Sequence, residues 1–123
     1  MRILIVEDEQ ILTQVLKEKF EKEKFKVKTA IDGKEALSMT ERFKPDLILL
    51  DIILPKKSGF EVLKELKSDV KLSKIPVIIM SNLSADENIK KGLALGAKDY
   101  LVKTQHPINE IVDKVKEALA KSR

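Results

Sequence analysis

Cysteine and tryptophan are absent from this 123-residue chain, and histidine and tyrosine occur once each. The missing cysteine excludes a disulfide framework, a thiol nucleophile and a thiolate-bound metal. The single histidine, His106, excludes a multi-histidine metal site and reads as a loop or helix-cap residue. Long apolar runs are also missing. Stretches such as Leu47-Ile48-Leu49-Leu50 fall far short of the roughly eighteen apolar residues of a membrane span. The start, Met1-Arg2-Ile3-Leu4-Ile5-Val6-Glu7, is too short in its apolar part for a secretory signal. A soluble, cytoplasmic protein with no membrane partner is therefore expected. Aromatic residues make up only 4% of the chain, and no basic run carries them, so base stacking has little to work with. The net charge of +4 does not change that reading, because the lysines alternate with acids, as in Lys17-Glu18-Lys19 and Glu21-Lys22-Glu23-Lys24. Interleaving of this kind marks solvated helix faces, and no direct contact with nucleic acid is expected.

What is present is a strict alternation of strand and helix. Hydrophobic residues make up 43%, enough for one core at this length. Ile3 to Val6 is a short continuous apolar run, the mark of a strand buried on both faces. Leu12, Val15, Leu16 and Phe20 then form one helical stripe between about Glu9 and Lys24. Phe25 to Ala30 alternates apolar residues with Lys and Thr, as an edge strand does, and its lysines protect that edge. Asp32 and Glu35 have the spacing of a capping box and open a second helix, which Pro45 ends. Leu47 to Leu50 is the most apolar strand and should be central. Ser58 with Glu61 and Ser84 with Glu87 repeat the capping spacing before a third and a fourth helix, the latter ending near Gly96. Val77 to Met80 and Lys98 to Val102 supply the last two strands. Pro107 precedes a final stripe of Ile108, Ile111, Val112, Val115 and Leu119. The pattern predicts an α/β fold, (βα)5, with a parallel five-stranded sheet doubly wound by helices. Residues 1–123 should form a single domain, with no effector domain in this chain.

In such sheets ligands bind beyond the carboxyl ends of the strands. Glu7-Asp8-Glu9 falls there after the first strand, Asp51 after the third, Ser81-Asn82 after the fourth and Lys103 after the fifth. Three carboxylates in one pocket repel one another by about 4 kcal/mol per pair, at about 4 Å and an effective dielectric of about 20. Lys103 supplies one positive charge against three negatives. Such a pocket suits a hard divalent cation, Mg²⁺ or Mn²⁺, and then an anion bridging the cation and the lysine. A phosphoryl group fits that description, with Asp51 as a carboxylate nucleophile.

These residues resemble the receiver domain of response regulators in two-component signalling. The resemblance is carried by Ile3–Glu9, by Asp46–Pro55 with Gly59, by Pro76–Ser81 and by Gly96–Lys103, in order and across nearly the whole chain. It implies strand order 2-1-3-4-5, as in the chemotaxis regulator. It implies that Asp51 is the phosphoacceptor, taking its phosphoryl group from the phosphohistidine of a sensor histidine kinase or phosphotransfer protein. Asp8 would bind Mg²⁺ directly, Glu7 through water, and the backbone carbonyl of Ile53 would be a further ligand. Lys103 and the Ser81 hydroxyl would hold phosphoryl oxygens. Tyr100 would be the switch aromatic, turning inward as Ser81 moves, and would reshape the face of helix four, strand five and helix five for a downstream protein target. Such a domain phosphorylates and dephosphorylates itself but is not a metabolic enzyme.

The chain departs from the family pattern in a few places. Leu54 stands where many receivers have Met, a volume-conserving change. Asn82 is larger than the usual Ala or Gly and narrows access to the phosphoryl site. Ile53 and Leu83 are both apolar and should screen the attacking water. Thr104 follows Lys103 in place of the common Pro. A non-proline cis bond costs about 3–4 kcal/mol, so a trans Lys103–Thr104 peptide is expected. Three alternatives compete. A pseudo-receiver binding partners without phosphorylation would usually lack the acceptor Asp or the lysine, and both are here. A flavodoxin-like protein needs a Ser/Thr/Gly-rich phosphate loop where Glu7-Asp8-Glu9 stands. A phosphatase with an Asp nucleophile would want a second Asp at the position of Ile53.

Overall fold

The computed structural model describes residues 1–121; the last two residues of the expected 1–123 domain lie outside the described residues. The strands are β1 (Arg2–Val6), β2 (Lys26–Ala30), β3 (Leu47–Leu50), β4 (Val77–Ser81) and β5 (Asp99–Val102). The helices are α1 (Gln10–Lys22), α2 (Gly33–Phe43), α3 (Gly59–Ser68), α4 (Asp86–Ala94) and α5 (Ile108–Lys121), with a short 3₁₀ turn at Leu72–Lys74 before β4. All strand pairs are parallel, in the order β2-β1-β3-β4-β5. The apolar strand Leu47–Leu50 is central, and the Lys-bearing β2 is an edge.

Alternation along the strands sorts the core into two halves. Ile3, Ile5, Leu47, Leu49, Ile78 and Met80 pack against Leu16 and Phe20 of α1 and Val115 of α5. Leu4, Val6, Ile48, Leu50, Val77 and Ile79 pack on the other face against Ala36 of α2 and Val62, Leu63 and Leu66 of α3. Both faces are covered, which is why these strands are continuously apolar.

Two of the three expected capping boxes hold. The Asp32 side chain accepts from the Glu35 amide at 2.8 Å, and Ser58 Oγ accepts from the Glu61 amide at 3.3 Å. The third does not: α4 begins at Asp86 with Ala85 as its N-cap and no side-chain cap bond. The chain before it is already held at Leu83, whose amide donates to Ser81 Oγ at 3.2 Å and whose carbonyl accepts from the Tyr100 hydroxyl at 2.7 Å. Those bonds fix the turn, and the helix opens beyond Ser84. Among the described residues every peptide bond is trans, Lys103–Thr104 included, as expected from the missing proline. No described helix is long and apolar enough to cross a membrane.

Candidate functional site

Strand order reverses between β1 and β3, because the chain leaves β1 toward β2 and leaves β3 toward β4. Helices therefore depart to opposite faces and leave a crevice at the carboxyl ends of these strands. The ladder runs one residue past β1, β3 and β5 and fixes the residues that line this crevice. The Glu7 amide donates to Ala30 O at 3.0 Å, Asp51 to Val6 O at 3.0 Å, and Lys103 to Ser81 O at 2.9 Å.

Carboxylate oxygens of Glu7, Asp8 and Asp51 all lie within 4.8 Å of one another. Glu7 and Asp51 are buried, while Asp8 is exposed at the mouth. Lys103 Nζ sits among them, 2.8 and 2.9 Å from the two oxygens of Glu7 and 3.0 Å from Asp51 Oδ2. Glu9, which the sequence placed in the acidic run but without a role, reaches the same ammonium at 3.8 Å. Burial, followed by hydrogen bonding to Asp51, raises the Glu7 carboxyl from 4.5 to about 8, against the opposing pull of Lys103. Burial alone would lower Lys103, but the Glu7 and Asp51 carboxylates outweigh it and raise its value. Burial keeps an extra proton on Glu7, while the carboxylates around the ammonium leave the lysine charged.

Backbone geometry presents the Asp51 carboxylate. The Ile53 amide donates to its Oδ1 at 3.3 Å, which sets the Ile53 peptide beside the carboxylate. The first turn of α3 presses on the same segment from behind. A Cβ on Gly59 would fall 2.2 Å from the Asp51 carbonyl oxygen and 2.7 Å from Ile52 Cα, so only glycine permits this approach. The donor set around the crevice is all oxygen, without imidazole or thiolate, and this fits a hard divalent cation.

Ser81, Leu83 and Tyr100 form a second group beside the first. Ser81 is fully buried, and Tyr100 is only 7% exposed with its hydroxyl on the Leu83 carbonyl. Burial raises the Tyr100 phenol above its ordinary value, with a hydrogen bond to Ser81 opposing. The ring thus already lies inward. Of the residues expected to gate water, Ile53 is 57% exposed at the surface, Asn82 is exposed and Leu83 is half-buried. His106 stands apart from the carboxylates, with Nδ1 2.7 Å from Glu110 Oε1.

The model of the response regulator receiver domain matches residues 3–116. The chain belongs to the response regulator receiver family. The receiver is 40% identical over 123 residues to the alkaline phosphatase synthesis transcriptional regulatory protein PhoP of Bacillus subtilis, covering 98% of this chain and 49% of that protein. It superposes on the receiver domain of Francisella response regulator 1452 with a TM-score of 0.90 at 33% identity, covering 99% and 98% of the two chains. It is also similar to the Mn²⁺-bound form of response regulator Rcp1, with a TM-score of 0.78 at 26% identity, covering 98% and 88%. The chain spans from a quarter to about half of the length of the curated relatives it matches. Receiver domains are signalling modules of two-component systems.

Proposed function

We propose that this receiver accepts a phosphoryl group on Asp51 from the phosphohistidine of a sensor histidine kinase or a phosphotransfer protein. One observation carries the reading: the buried Asp51 carboxylate meets Glu7 and Asp8 within 4.8 Å and Lys103 at 3.0 Å. In the transfer a carboxylate oxygen of Asp51 bonds to phosphorus as the phosphorus–nitrogen bond breaks. The electron pair of that bond returns to the imidazole, and an acyl phosphate forms. The Ile53 amide holds the carboxylate in place through this step. Lys103 and the Ser81 hydroxyl donate to the transferred phosphoryl oxygens. Glu7, Asp8, Asp51 and the Ile53 carbonyl would hold Mg²⁺, and Mn²⁺ suits the same donors. When bound, that cation supplies positive charge against the crowded carboxylates and the phosphoryl oxygens. The Mn²⁺-bound form of the similar regulator Rcp1 supports this assignment.

Tyr100 is the switch. Its hydroxyl ties β5 to the loop before α4 through Leu83, and Leu83 is tied to Ser81. A change at Ser81 is therefore felt on the face of α4, β5 and α5, where a downstream protein docks. Ile53, Asn82 and Leu83 limit access of the water that hydrolyses the acyl phosphate. Residues 1–123 act as one cytoplasmic receiver domain, self-phosphorylating and self-dephosphorylating but not an enzyme of metabolism, and without direct contact with nucleic acid or membrane. Labelling by acetyl phosphate tests the reading. Wild type takes up one phosphoryl group only with Mg²⁺, and Asp51→Asn takes up none. Equal labelling of the two proteins would contradict it.

A further inference from the structure

Gly92 lies inside α4, two residues before the helix ends at Ala94. A helix interior disfavours glycine relative to alanine, because glycine loses more backbone freedom. Something must favour its presence, and the surroundings show what. A Cβ built on Gly92 falls 2.6 Å from Ile79 Cδ1, 3.0 Å from Tyr100 Cδ2 and 3.4 Å from Tyr100 Cε2. Ile79 is fully buried and the Tyr100 ring is 7% exposed, so a new methyl group has no free space beside them. The far end of the ring is pinned by the hydroxyl bond to the Leu83 carbonyl, 2.7 Å long. Between its root on β5 and that carbonyl, the ring passes α4 at the one point where the helix has no side chain.

We propose that Gly92 is a positioning residue for Tyr100. The missing side chain is the slot in which the ring lies when its hydroxyl reaches Leu83, and a side chain at this position drives the ring outward. The slot belongs to α4 and the ring to β5, so the seating of α4 and the rotamer of Tyr100 form one equilibrium. The consequence for signalling rests on the reading of Tyr100 as the switch, but the position of the ring is measurable by itself.

Tyr100 is the only tyrosine and tryptophan is absent, so the intrinsic emission of the whole chain reports this one ring. Acrylamide quenching and far-UV circular dichroism melts are compared for wild type, Gly92→Ala and the double variant Gly92→Ala with Ile79→Val. Gly92→Ala is expected to be quenched severalfold more readily and to melt lower, as overpacking demands. Helix propensity alone would raise its melting temperature. In the double variant, removal of Ile79 Cδ1 makes room for the new methyl group, and quenching and melting both return toward wild type. The proposal is overturned by wild-type quenching with a raised melting temperature in Gly92→Ala. Wild-type quenching with a lowered melting temperature in Gly92→Ala would equally overturn it, since the methyl would then press on Ile79 alone and leave the ring seated. Acetyl phosphate labelling of wild type separates the two readings. Absence of label sinks Asp51 as phosphoacceptor, while the quenching series still decides the role of Gly92.

Discussion

Replacing Glu7 with Gln isolates the strain stored in the metal-free pocket. The side chain is 1% exposed, and its carboxyl has been raised from 4.5 to about 8. The substitution keeps the shape and removes the titratable group. The sign follows from proton counts. Between about pH 4.5 and about pH 8 the folded protein retains a proton on Glu7 that the unfolded chain has released. Stability contributed by this group is therefore complete below the unfolded value and is lost as pH rises through the folded value. One fully retained proton gives a slope of about 1.4 kcal/mol per pH unit, which is the ceiling for a single group. Urea melts in EDTA at half-unit steps from pH 5 to pH 8 measure the slope. Wild type should lose stability across this range, and Glu7→Gln should lose clearly less. Parallel curves for the two proteins would refute the reasoning, because the pH dependence would then come from other groups.

Two further outcomes follow from the same pocket. On the proposed ligand set, Mg²⁺ should raise the melting temperature by mass action, and Asp8→Ala should abolish that shift; an equal shift in the variant would remove Asp8 from the ligand set. The acyl phosphate should be long-lived, because Ile53 and Leu83 cannot hydrogen-bond an attacking water. Ile53→Asn or Leu83→Glu should speed loss of phosphate about tenfold, which needs only about 1.4 kcal/mol off the barrier. Unchanged or slower decay of both purified phosphoproteins in Mg²⁺ would show that these side chains do not gate the water.

The fold was legible because its strands are buried on both faces. Runs such as Ile3–Val6 and Leu47–Leu50 have no polar member to confuse their period, and Asp32 with Glu35 marks a helix start by local bonding alone. Ser84 and Glu87 have the same local signal, and there it failed. The start of α4 is set by Leu83, whose two bonds go to Ser81 and to Tyr100, seventeen residues away. Spacing along the chain does not carry that contact. The acidic crevice was legible for a topological reason: residues just past parallel strands converge whatever their side chains. Its finer electrostatics were not. That Lys103 grips Glu7 with both oxygens, and also approaches Glu9, depends on side-chain geometry across 96 residues of sequence. Gly92 went unread as well, although a glycine within an otherwise regular helix was a signal in plain view.

The central claim is that Asp51 itself carries the phosphoryl group. Intact protein treated with acetyl phosphate and Mg²⁺, then reduced with borohydride and digested, gives the most direct answer, because reduction converts an aspartyl phosphate to homoserine at the site of attachment. The account predicts homoserine at position 51 and at no other position, and none when EDTA replaces Mg²⁺. An unmodified Asp51 peptide beside a phosphate found on Ser81, His106 or another acid would contradict it.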